Sequence, residues 1–70
     1  MGSEKHKYLI EVYTYGYKSE TYETEDYELA RRRLMIYLKC DLGIKLYIDG
    51  EEVKFLEIKK VMNINTYKNM

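Results

Sequence analysis

The 70-residue chain has no proline and no tryptophan, one cysteine, one histidine and one phenylalanine, and its four glycines stand singly. A lone Cys40 cannot close an intramolecular disulfide, so no covalent framework is expected and a reducing compartment, the cytoplasm, is the expected location. One cysteine and one histidine fall short of the roughly four ligands of a structural zinc site. The acidic residues Glu20, Glu23, Glu25, Asp26 and Glu28 lack the alternating oxygens and central glycine of a calcium loop. They read as a solvated strand edge leading into a helix start, or as an acidic surface for a basic partner. Gly2, Gly16, Gly43 and Gly50 are too scattered to cradle a phosphate. Neither a metal nor a cofactor is therefore expected.

Long apolar runs are missing too. None approaches the roughly 18–20 residues of a membrane span, and Met1-Gly2-Ser3-Glu4-Lys5 has no apolar signal core behind it, so no membrane association is expected. Nucleophilic catalysis needs a Ser, Cys or Thr beside a base, and the only histidine, His6, falls in the frayed start. The chain is expected not to be an enzyme. Twelve Lys and Arg balance twelve Asp and Glu, which removes any global field toward nucleic acid or an anionic surface and leaves recognition to local patches.

What is present is a foldable composition, with 46% apolar residues, too many for intrinsic disorder in a chain that builds one core and no more. Residues 1–70 read as a single domain, with 1–6 and 65–70 frayed. Nine tyrosines stand out. Lys, Ile, Glu and Asn are also plentiful, and AT-rich codons favour all of these types, so genomic bias accounts for part of the excess.

Residues 8–15 alternate in polarity as a strand does, with Tyr8, Ile10 and Val12 on one face and Leu9, Glu11, Tyr13 and Tyr15 on the other. A turn follows around Gly16, then a polar strand over residues 18–24 whose charges suit a sheet edge. Thr24 as N-cap, acidic residues in the first turn and Gly43 as stop predict a helix from about 25 to 41. Its stripe of Tyr27, Ala30, Leu34, Tyr37 and Leu38 should face the sheet. Asp49-Gly50 between residues 44–48 and 51–55 predicts a type I′ hairpin with Leu46 opposite Val53 and Ile44 opposite Phe55. Alternation breaks at Phe55-Leu56, and residues 56–64 are expected as further strand after a bulge, the competing reading being a short helix carrying Phe55, Ile58 and Met62. The fold class is α+β, a two-layer β-β-α-β-β(-β) domain with one helix packed on an antiparallel sheet.

Two surfaces follow. Tyr13, Tyr15, Tyr17, Tyr22, Glu23, Arg31 and Arg32 are the candidate partner-binding residues, since tyrosine and arginine dominate protein interfaces. The helix carries a second apolar stripe of Leu29, Ile36 and Cys40, with Arg33 between it and the first, making an arc wider than one packing surface requires. That arc is covered by a curling sheet, with Arg33 snorkelling to water and Tyr37 stacked on it, or by self-association as a homodimer with Arg33 facing a carboxylate across the contact. Edge pairing through residues 18–24 is a second route to a dimer. The expected function is a small protein-binding module, its size and residue usage suiting a phage or mobile-element inhibitor of a host enzyme acting on nucleic acid. The alternative is a single-stranded DNA or RNA binder that stacks bases on Tyr13, Tyr15 and Tyr17 and contacts phosphates through Arg31, Arg32 and nearby lysines.

Overall fold

In the computed structural model, which describes residues 5–40 and 42–64, alternating residues build strand β1 (Tyr8–Thr14) and the polar strand β2 (Tyr17–Thr24). Helix α1 (Tyr27–Lys39) then crosses to β3 (Gly43–Ile48), β4 (Glu51–Val53) and a second helix, α2 (Phe55–Val61). The strands pair antiparallel in the order β2-β1-β3-β4. The expected α+β class holds, and β2 lies at an edge.

The core forms where the apolar face of the sheet meets the helices. Tyr8, Ile10 and Val12 from β1 and Ile44 and Leu46 from β3 are buried with Ala30, Leu34 and Tyr37 from α1. Ile58, Met62 and Ile64 close the remaining side. No charged or polar residue is buried among the described residues. Each large apolar side chain fully withdrawn from water contributes about 1.5–3 kcal/mol before conformational entropy is counted, so these few residues hold the sheet and helices together.

Four expectations are corrected. The helix starts two residues late because Asp26, not Thr24, is its N-cap: Asp26 accepts from the Leu29 amide at 3.2 Å, while the Thr24 hydroxyl accepts from the Asp26 amide at 3.0 Å and keeps residues 25 and 26 out of the helix. The helix ends at Lys39 with Cys40 as its cap; Gly43 is no helix stop but the first residue of β3, opposite Tyr13. The expected helical end at residue 41 lies outside the described residues.

The second correction is at the C-terminal end, where residues 55–61 are helix and not strand. Glu57 sits in the first turn and Lys59 and Lys60 in the last, complementing the helix dipole. The Ile64 amide donates to the Lys59 carbonyl at 2.8 Å and the Asn63 amide to that of Lys60 at 3.3 Å, with Asn63 at φ 54°. That is a Schellman stop with asparagine in the left-handed position. Phe55 therefore does not pair with Ile44 and is 57% exposed, whereas Ile58 and Met62, one turn apart, are buried.

The third correction moves Tyr15 off the strand. Thr14 pairs with Tyr17, and Tyr15 (φ 55°) and Gly16 (φ 85°) form the two-residue turn between them. The fourth concerns the chain start. Of the ends expected to fray, residues 1–4 and 65–70 lie outside the described residues, but His6 Nδ1 lies 2.6 Å from Asp49 Oδ2 and the Lys7 amide donates to Asp49 Oδ1 at 2.9 Å. His6 and Lys7 are thus fastened to the β3–β4 turn, where Asp49 (φ 54°) and Gly50 (φ 86°) take the expected positive φ values.

These contacts hold the Asp49 carboxyl below its ordinary pKa of 3.8, the Lys7 amide first and the His6 ring second. A depressed carboxyl adds stability above its unfolded pKa and loses it as pH falls through the folded one. The wild type is accordingly expected to lose stability as pH drops below about 4. In Asp49→Asn, which keeps both the turn preference and the Oδ1 acceptor, that part of the profile should flatten. Urea midpoints followed from about pH 5 to about pH 2 check this, and parallel profiles for the two proteins would refute it.

Candidate interaction surface

The seven candidate partner-binding residues do not form one patch. Tyr13 alternates with the buried residues of β1 and lies on the sheet face away from the helices. There its hydroxyl donates to Glu11 Oε1 at 2.8 Å, and the Lys45 ammonium lies 5.6 Å from its ring centre. Lys18 Nζ adds a contact to Glu11 Oε2 at 3.4 Å. Tyr13 foremost, with Lys18 and Lys45, holds the Glu11 carboxyl below its usual pKa, so the charge persists on this face. Tyr15, in the turn, is 96% exposed, and Tyr17, opening β2, is 78% exposed. Tyr13, Tyr15 and Tyr17 thus point from a sheet face, a turn tip and a strand start, and do not form a stacking row. A shallow depression beside Leu42 and Gly43 joins Tyr13 to Tyr15.

The others separate further. Tyr22 is opposite Ile10 and lies on the helix side of the sheet, whereas Glu23 is opposite Leu9 on the open side, 3.7 Å from Lys7. Arg31 Nε donates to the Asn63 carbonyl at 3.3 Å, and Tyr27 donates to that of Met62 at 2.9 Å, so this flank of α1 holds the end of α2. Arg32 is exposed on the outer side of α1. Among the described residues no group of three or more His, Cys, Asp or Glu converges as a metal ligand set. No helix among them is long and apolar enough to cross a membrane.

The residues expected to self-associate share one face of α1. At 100° per residue, Leu29, Ile36 and Cys40 lie within about 60° of Arg33, on the flank of α1 opposite Tyr27 and Arg31. Arg33 places its guanidinium 4.6 Å from the centre of the Tyr22 ring, which fixes this flank as the one above β2. The Tyr37 hydroxyl, then that of Tyr22, holds the guanidinium above its usual pKa. Among the described residues Arg33 makes no ion pair with a carboxylate. Among the described residues the sheet does not curl over the stripe, because β2 is its outermost strand there: Leu29 is 44% and Ile36 54% exposed, and Cys40 is exposed. Of the two readings of the wide apolar arc, the curling sheet is therefore excluded. Arg33 does snorkel, but onto Tyr22 of the neighbouring strand.

No family model, curated protein or solved structure matches this chain. The surface must be read from its own residues. Sequence reasoning placed Glu20 in an acidic strand edge but missed that its carboxylate accepts from the Tyr37 hydroxyl at 2.6 Å on the helix side of β2. It also missed Lys45 and Tyr47, which alternate with Ile44 and Leu46 onto the open face beside Tyr13. Strand parity in residues 44–48 carried that signal for Lys45 and Tyr47. Nothing local marked the contact of Glu20, because its partner Tyr37 lies 17 residues away on α1.

Proposed function

We propose that this chain is a small protein-binding module that docks through the continuous surface formed by the free edge of β2 and the Leu29, Ile36 and Cys40 flank of α1. The observation that carries the reading is the coincidence of two unsatisfied elements on one side of the molecule. Half-exposed aliphatic side chains on a helix lose contact with water when a partner covers them, and an edge strand offers backbone groups to any chain laid beside it. Tyr22 and Arg33, stacked at the middle of this surface, are of the residue types that dominate interface energetics. The finer reading, a phage or mobile-element inhibitor of a host enzyme acting on nucleic acid, is supported by size and residue usage alone.

The test compares the wild type with a Leu29→Glu/Ile36→Glu double variant as affinity baits in lysate of the native host. Both substitutions fall at exposed positions, so the fold should survive them. Proteins held through the proposed surface should be retained by the wild type and lost by the double variant. An identical set on both baits would place binding elsewhere. Single-stranded oligonucleotides titrated at low salt, where phosphate contacts are strongest, test the nucleic-acid alternative, which retains the exposed Tyr15 and Tyr17 in its favour. Binding abolished by Tyr15→Ala/Tyr17→Ala would replace the protein-docking reading.

A further inference from the structure

The docking surface has an internal symmetry that names its occupant. Only residues 20–24 of β2 lie beyond the bulge in an unbroken register with β1. Tyr22 is their midpoint. On α1, Arg33 falls midway between Leu29 and Ile36 along the exposed flank, and it is Arg33 that sits over the Tyr22 ring, at 4.6 Å. The middle of the free edge and the middle of the apolar flank are therefore one place. Resting on the reading of this surface as a docking site, we propose that its occupant is a second copy of the chain, paired antiparallel through β2 about a two-fold axis beside Tyr22.

One rotation then satisfies both elements. Antiparallel pairing about Tyr22 opposes residues of equal parity, which lie on the same face of a strand, so both α1 helices end on the same side of a continuous eight-stranded sheet. Leu29 of each copy comes opposite Ile36 of the other. An isologous interface requires a self-complementary patch of this kind. The charges on the edge also fit. Glu20 falls opposite Thr24 and Thr21 opposite Glu23, so no like charges are directly opposed. Glu20 stands on the helix side, where it already accepts from its own Tyr37, and lies diagonal to Tyr22 of the second copy, so that it also comes beside an Arg33 that makes no ion pair with a carboxylate among the described residues of its own chain. The other edge, β4, is only three residues long and offers little to pair with. The charges along β2 deter promiscuous strand addition while this one register tolerates them.

Sedimentation equilibrium of the full chain tests the assembly, with hydrogen exchange locating it. The wild type should form dimers that dissociate on dilution, and amides among residues 20–24 should exchange more slowly as concentration rises. Ile36→Glu, at an exposed position, should weaken dimerisation at least about 100-fold, since each dimer would bury two unpaired carboxylates. Circular dichroism should stay that of the wild type. A strict monomer at about 0.5 mM, well above the micromolar dissociation constants of ordinary interfaces, overturns the proposal. So does a dimer indifferent to Ile36→Glu, or one whose exchange protection lies outside β2. A monomer that still captures another protein through this surface, with capture lost in the Leu29→Glu/Ile36→Glu variant, overturns the second copy as occupant while the docking function stands. Loss of both dimerisation and variant-sensitive capture would overturn the two together.

Discussion

Replacing Leu34 by alanine is expected to remove about 3 kcal/mol of folding stability, within the range seen for buried leucines that leave a cavity behind. Leu34 is at the centre of α1, wholly buried with Ile10 and Leu46 of the sheet beneath it. A single core in a domain this small, with no disulfide to staple it, rarely supplies more than about 3–5 kcal/mol. The substitution therefore consumes most of it. Leu29→Ala makes the same chemical change in the same helix at a position 44% exposed and should cost less than about 1 kcal/mol in the dilute monomer, because less area is lost from the folded state and solvent fills the space. Urea denaturation followed by circular dichroism at low protein concentration compares the two. A Leu29→Ala cost equal to that of Leu34→Ala would mean that the flank is covered within the single chain, and would remove the basis for reading it as a docking surface.

The elements legible in the sequence are those whose determinants are local. The β3–β4 turn was readable because Asp49-Gly50 tolerates the positive φ values it adopts, and strand alternation then fixes Leu46 against Val53. α1 was readable from its apolar stripe, and its capping signals were only displaced, since Thr24 and Asp26 are both competent and Asp26 stands three residues before an amide it can reach. Tyr15 was not legible because tyrosine is no usual choice at φ 55°, and the alternation of β1 continues through it in sequence although the chain has already turned. Half of the surface was readable in the same way: the arc of α1 is too wide for one sheet, whichever sheet lies beneath it. Its other half was not. That β2 ends the sheet beneath Leu29 and Ile36, and that Tyr22 receives Arg33, depend on which flank of α1 turns toward α2. That choice is made by Tyr27 and Arg31 bonding carbonyls more than 30 residues away, a long-range event with no trace in spacing.

The segment after Phe55 is where two periods compete, and a pair of substitutions decides between them. Phe55, Leu56, Ile58, Val61 and Met62 place apolar residues at both strand and helix spacings, and only the stop at Asn63, followed by the buried Ile64, favours the helix. The two conformations assign opposite roles to the same side chains. As a strand continuing the hairpin, Phe55 would pair against Ile44 in the core. As a helix, Ile58 and Met62 enter the core one turn apart and Phe55 faces water. Met62 is fully buried, and its carbonyl receives the Tyr27 hydroxyl at 2.9 Å, so its side chain is held in register with α1 and the site cannot readily collapse around a smaller residue. Met62→Ala should therefore cost about 2–4 kcal/mol, and Phe55→Ala less than about 1 kcal/mol. The loss at Met62 should also release the end of α2, speeding hydrogen exchange at the Met62, Asn63 and Ile64 amides before those of β1. Reversal of the two costs in urea denaturation would show that residues 55–64 extend the sheet. It would also give the second edge of the sheet the length that the proposed dimer assigns to β2 alone.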